Sequence, residues 1–187
     1  MNFYEMKYQE NNTGFSIIEL LVVIALISVI SVFAYPNLAK YNQRREIQNA
    51  VNKLYEHLQN SQQEAVNFKR RYRVNVPTGD NSISIETKYA EDVQCATMTR
   101  DGNYLRDSEF INSETMELSY TKVTSGGTQE FCPDSTCDAK GSSFNGVYEL
   151  EHYKDSEIGK YRITISKGTC FMKLEKYKKK NGKLLTK

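Results

Sequence analysis

From Phe15 to Tyr35 the chain reads FSIIELLVVIALISVISVFAY, and of these 21 residues only Ser16, Glu19, Ser28 and Ser31 are not apolar. As a helix rising about 1.5 Å per residue, the run is roughly 30 Å long, the thickness of the hydrocarbon core of a bilayer. It is apolar on every side, so its neighbours must be lipid or other helices of the same kind. A helix buried in a soluble core is the alternative, but no other segment of the 187 residues is apolar enough to surround it. Three prolines and ten glycines exclude a collagen-like or low-complexity chain.

Beyond Tyr35 and Pro36 a second helical pattern follows. Ile47, Val51, Leu54, Leu58 and Ala65 recur at three- and four-residue steps, with Val66 and Phe68 nearby, while Arg44, Arg45, Lys53, Gln59 and Lys69 fall on other faces. No glycine interrupts residues 15–75, so the pattern predicts one helix of about 55 residues, kinked at Pro36, its first half in a membrane and its second half packed on a soluble domain. The period then changes to two. Alternation over Tyr72–Val76, Ser82–Lys88, Glu117–Val123, Gly146–His152, Lys160–Ser166 and Thr169–Glu175 predicts strands, with Pro77–Asn81 and Lys167-Gly168 as turns. Asp101–Thr115 and Ser125–Ser143 read as polar loops. The expected fold class is α+β, a long N-terminal helix whose apolar stripe covers one face of an antiparallel β-sheet.

The net charge of +2 conceals a division along the chain. Residues 1–14 carry −1, Lys40–Arg73 +5, Asp80–Lys160 −9 and Lys167–Lys187 +7. An acidic middle therefore precedes a basic end. Within the apolar run, Glu19 stands out. An ionisable group inside a membrane segment is costly and needs a partner, unless it reaches the headgroup region from the helix end.

The junction itself is Gly14-Phe15-Ser16-Ile17-Ile18-Glu19-Leu20-Leu21. A secretory signal places its cleavage site after the apolar core; here a polar leader ends in glycine before the core begins. This resembles the type IV prepilin motif, G-F-[ST]-x-x-E opening an apolar helix, and Pro36 falls where pilins commonly carry a proline. The resemblance implies that a prepilin peptidase cuts after Gly14 and methylates the new amino group of Phe15. It also implies that Glu19 offsets the amino terminus of a neighbouring subunit during filament assembly. Residues 38–76 are similar to the GspH/FimT family in the pattern that Ser61, Glu64, Ala65, Val66, Arg71 and Val74 follow, although Gln62-Gln63 separates the serine from the glutamate. The divisions expected are a leader (1–14), a membrane and assembly helix (15–36), a soluble pilin-like domain (37–175) and a basic C-terminal tail (176–187).

Two features depart from the usual pattern. The leader has Glu10-Asn11-Asn12-Thr13 before Gly14, with Lys7 its only base, and a start at Met6 would give a shorter, more typical leader. Lys40, Arg44 and Arg45 also outnumber Lys7, which by the positive-inside rule would hold the soluble domain in the cytoplasm. The prepilin resemblance implies the opposite: a single-pass inner-membrane helix, a periplasmic domain, and later a pilus or pseudopilus, with topology set by the prepilin machinery.

Four cysteines in an exported domain suggest two disulfides, with three pairings open. Cys132 and Cys137 flank a short loop, which pairs them and leaves Cys95 for Cys170. Zinc on Cys132, Cys137, His57 and His152 is the alternative, but the C-x₄-C spacing is loose and the histidines are scattered; His57 reads as helix surface and His152 as a strand end. There is no P-loop, G-x-G-x-x-G, H-E-x-x-H or G-x-S-x-G. Neither an enzyme nor a cofactor is expected.

The resemblance thus implies a minor pilin or pseudopilin of a type IV pilus or type II secretion system, acting in filament initiation or assembly. Its partners would be other pilin subunits, the prepilin peptidase and the inner-membrane assembly platform. The alternative is a FimT-like DNA-binding minor pilin for natural transformation. Lys173, Lys176, Lys178, Lys179, Lys180 and Lys183 would then contact phosphates in a salt-sensitive way. Lysine lacks arginine's bidentate fork, and a basic terminus is often only solvated.

Overall fold

The structure is a computed structural model that describes residues 15–91, 110–140, 144–154, 158–180 and 183–186. The chain divides into two compact units, Met1–Ala39 and Lys40–Lys187. One helix, α1 (Ile17–Phe68), supplies the described helical residues of the first unit and opens the second. Among the described residues no single unbroken helix is both long and apolar enough to cross a membrane; Ile17–Val32 and Asn37–Phe68 meet that requirement only together. Length explains this departure from the expected span, since Ile17–Val32 alone covers only about 24 Å at the helical rise.

In the second unit the apolar stripe behaves as its spacing predicts. Ile47, Val51, Leu54, Leu58 and Ala65 are all fully buried, whereas Val66 and Phe68 are exposed. The helix stops where Lys69 adopts a left-handed φ of 52° and the Arg70 N–H donates to the Ala65 carbonyl at 3.2 Å. That six-to-one bond is the Schellman arrangement, here with lysine where glycine is usual.

Ten strands are described: β1 (Arg71–Val76), β2 (Ser82–Ala90), β3 (Ile111–Ser119), β4 (Thr121–Ser125), β5 (Gly127–Phe131), β6 (Cys137–Lys140), β7 (Val147–His152), β8 (Lys160–Ile165), β9 (Met172–Lys180) and β10 (Lys183–Thr186). They form two five-stranded sheets rather than one, in the orders β3-β2-β1-β5-β6 and β10-β9-β8-β7-β4. The described pairings are antiparallel. The α+β class and the helix-then-antiparallel-sheet order are as expected. The core joins the stripe of α1 to Tyr72, Val74, Val76, Ile83, Ile85 and Leu118 of the first sheet and Tyr148, Leu150, Ile163 and Ile165 of the second.

Three expectations about strands are corrected. Glu117–Val123 is not one strand: Tyr120, at a left-handed φ of 59°, ends β3 and sends β4 into the other sheet. Bonds from Thr121 Oγ1 to the Ser119 carbonyl (3.0 Å) and from the Tyr153 N–H to the Tyr120 carbonyl (3.3 Å) hold that corner. Ser125–Ser143 is not a loop, because it contains β5, which pairs with β1, and β6. The chain returns from β4 to β5 through Gly126, where a Cβ would lie 2.3 Å from the Val76 carbonyl oxygen, so glycine is required for this close crossing. Of the expected loop at Asp101–Thr115, residues 101–109 lie outside the described ones and Ile111–Thr115 begin β3.

Candidate assembly site

Along the described side chains from Phe15 to Val32 the helix is exposed on every side: Phe15 is 86%, Ile17 80% and Val32 70% accessible. So continuous an apolar surface is not left to water. Two of its polar side chains are already satisfied within the helix, since Ser28 Oγ donates to the Ile24 carbonyl at 2.8 Å and Ser31 Oγ to that of Ile27 at 2.7 Å. Such bonds to the preceding turn let a hydroxyl leave water at little cost. Glu19 is different. It lies in the first turn, where its charge complements the positive end of the helix dipole. Ser16 begins the helix, its carbonyl accepting from the N–H groups of Glu19 (3.0 Å) and Leu20 (3.2 Å). Ser16-x-x-Glu19 is also capping-box spacing, so this segment helps to start the helix as well as to present a carboxylate.

Residues 11–35 match the prokaryotic N-terminal methylation motif. The match supports a type IV pilin-like protein, and the helix followed by antiparallel sheet is consistent with that fold. The motif implies a structural subunit that assembles into filaments with other pilins, and suggests a membrane-anchored N-terminal helix. No curated protein and no solved structure matches the chain. Gly14, the expected cleavage residue, lies outside the described residues with the rest of the leader, both candidate starts included.

The expected disulfide pairing is corrected. Cys137 is bonded to Cys170, with 5.4 Å between Cα atoms, and not to Cys132. Strand alternation explains why. Cys137 lies opposite Phe131 in the β5–β6 ladder and shares its core-facing side. Cys132, one residue beyond Phe131, therefore belongs to the other face. The intervening turn closes by itself, through the Cys132 N–H to the Thr136 carbonyl (2.9 Å) and Thr136 Oγ1 to the Asp134 carboxylate (2.6 Å). The Thr136 hydroxyl bond holds the Asp134 carboxyl below its ordinary value. Cys132 is itself in a disulfide, and Cys95 lies outside the described residues. The bonded Cys132 and Cys137 are thus not zinc ligands.

The histidines also have protein partners. His57 is half-buried rather than simply on the surface, with Nε2 2.7 Å from Thr87 Oγ1 on β2. Burial lowers its pKa, against the opposing charges of Glu114 and Glu64. His152, at the end of β7, is buried, its Nδ1 accepting from the Lys154 N–H at 3.3 Å and its Nε2 3.5 Å from the Glu46 carboxylate.

The basic C-terminal segment is a strand and hairpin for most of its length. Lys176 to Lys180 complete β9, and β10 pairs with it in the register Lys183↔Lys180, Leu184↔Lys179 and Leu185↔Lys178. Lys173 is 2.7 Å from the Glu175 carboxylate, and the Lys176 ammonium sits 5.1 Å from the Tyr161 ring centroid. The side chains of Lys178, Lys179, Lys180 and Lys183 lie outside the described ones. On the face that carries Lys173 and Glu175, Glu149 receives Lys160 and Arg162, the latter at 2.6 Å. Burial raises the Glu149 carboxyl, but those two cations outweigh it and leave it below its ordinary value.

Sequence reading missed one buried cluster. Glu130 of β5 lies between Arg71 (3.3 Å) and Arg73 (2.9 Å) of β1, with Glu130 and Arg71 each 1% exposed. The Phe110 ring covers the guanidinium groups at 5.1 and 3.9 Å. Arg71 had drawn notice through the GspH/FimT pattern, but Glu130 sits among Thr128, Gln129 and Cys132, a polar run with the composition of a loop. Of the other pattern residues, Ser61, Ala65 and Val74 are buried and Val66 is exposed. Ala65 and Val74 serve packing, and Ser61 Oγ donates to the His57 carbonyl at 2.9 Å.

Proposed function

We propose that the chain is a GspH/FimT-like minor pilin or pseudopilin that enters a type IV filament through its N-terminal helix and acts in its initiation or assembly. One observation carries this reading. The methylation motif opens a helix that is apolar on every side, with Ser28 and Ser31 already satisfied inside it. Glu19 is then the ionisable group in the described run that requires an outside partner, and the freed amino group of Phe15 on a neighbouring subunit supplies a complementary one. In this reading a prepilin peptidase cuts after Gly14 and methylates Phe15, the assembly platform receives the subunit in the inner membrane, and the Lys40–Lys187 unit lies in the periplasm. Glu19→Ala should leave processing at Gly14 intact and abolish recovery of the protein in sheared filaments; normal recovery would overturn the role of Glu19.

DNA capture during transformation is the rival reading, supported by the lysines that the β9–β10 hairpin gathers on adjacent strands. Lys173, one of its expected contacts, is exposed and pairs with Glu175. Deleting the gene and measuring DNA uptake, piliation and protein secretion side by side separates the readings by which process fails.

A further inference from the structure

The 26 residues between Glu19 and Glu46 contain no acid, and their only cations, Lys40, Arg44 and Arg45, are clustered at the end. All three are exposed, as is Tyr41. None has an ion pair among the described residues, in contrast to Arg70, Arg73, Lys122, Lys160 and Arg162 elsewhere in the same unit. Within the cluster, the Arg45 guanidinium lies 5.8 Å from the Tyr41 ring centroid. They occupy helical positions i, i+1, i+4 and i+5, one side of α1, and precede Ile47, the first fully buried residue of the core. Among the described residues, then, nothing makes use of their charge. By sequence, Lys40 follows the last residue of the apolar run, Tyr35, by only five positions.

We propose that Lys40, Tyr41, Arg44 and Arg45 form a collar that binds the phosphate headgroups of anionic lipids where α1 leaves the membrane. The proposal rests on the membrane-anchored reading of the helix. Guanidinium groups grip phosphate oxygens in pairs, and a tyrosine places its ring against acyl chains with its hydroxyl among headgroups. Each cation near an anionic surface is worth about a fivefold gain in binding, screened by salt. The collar also answers the charge imbalance noted in the sequence. Three cations beyond the apolar run oppose export by the positive-inside rule, and anionic headgroups on the far side give them partners once the domain has crossed.

The test uses the full chain in two arms. Flotation with phosphatidylcholine vesicles reads anchoring alone. Native mass spectrometry from micelles doped equally with phosphatidylglycerol and phosphatidylcholine counts the lipid retained. The chain should float, and should retain phosphatidylglycerol about a hundredfold over phosphatidylcholine at low salt. That preference should vanish in the triple variant Lys40→Gln, Arg44→Gln, Arg45→Gln and survive in Lys40→Arg. Failure to float would overturn both the anchoring and the collar. Flotation without a lipid preference would overturn the collar and leave anchoring standing. So would a preference that survives the triple variant but disappears in Lys178→Gln, Lys179→Gln, Lys180→Gln. If the triple variant keeps its phosphatidylglycerol and fails only to enter filaments, the collar faces a neighbouring subunit and the proposal falls.

Discussion

Glu130 is where a single residue matters most to the fold. A carboxylate held at 1% exposure between two guanidinium groups survives because both its oxygens are engaged, and removing it takes an ionic partner from the buried Arg71 beneath Phe110. Glu130→Ala should therefore destabilise the protein by about 3–5 kcal/mol, measured by urea unfolding. His57 makes a second, pH-dependent prediction. Its folded-state pKa is below the ordinary 6.5, so between the two values the unfolded chain binds a proton that the folded chain does not. Stability is then complete above about pH 6.5 and declines as the pH falls below it. The melting temperature should drop between pH 7 and pH 5.5, and His57→Gln should reduce that drop; an identical profile in the variant would remove His57 from the account. Neither site was legible from residue types alone. His57 occupied a polar helix position, and Glu130 stood in a polar run, because a buried ionic cluster and a solvated loop have the same composition.

Elements were legible where one periodicity governs them. The stripe of α1 was readable because a helix packed on a sheet must repeat its apolar contacts every three or four residues, and Ile47 through Ala65 do so. The strands at Arg71, Ser82, Val147 and Lys160 alternate because one face is buried. Reading failed at corners. Tyr120 turns the chain between sheets without a glycine or proline to announce it, and β5 hid in polar sequence. The pairing of Cys137 belongs to this scale as well. It lies on β6 in the first sheet and its partner Cys170 just before β9 in the second, 33 residues apart, so the bond staples the two sheets. Peptide mapping without reduction should recover Cys137 and Cys170 in one linked fragment, and replacing both by serine should cost about 2–4 kcal/mol.

Over the whole molecule, the core cluster lies entirely within the Lys40–Lys187 unit, beginning at Ile47. A fragment starting at Lys40 should accordingly fold in water without detergent, with a cooperative thermal transition within a few degrees of the full chain's; a molten or aggregated fragment would show that the preceding segment is needed. The apolar run makes the complementary demand, since its described side chains from Phe15 to Val32 are exposed and apolar, a surface that calls for lipid or other subunits. Both needs are written locally, one as near-continuous hydrophobicity from Phe15 to Tyr35 and the other as a stripe and alternating strands, so the sequence by itself determined the apolar N-terminal helix, the methylation motif and the α+β class. Only the tertiary structure decided that there are two sheets, that Cys137 meets Cys170, that Glu130 meets Arg71 and Arg73, and that the C-terminal lysines form a hairpin. Those outcomes depend on which distant residues arrive at the same place, and that is set by strand order and register, which no local pattern of residue types contains.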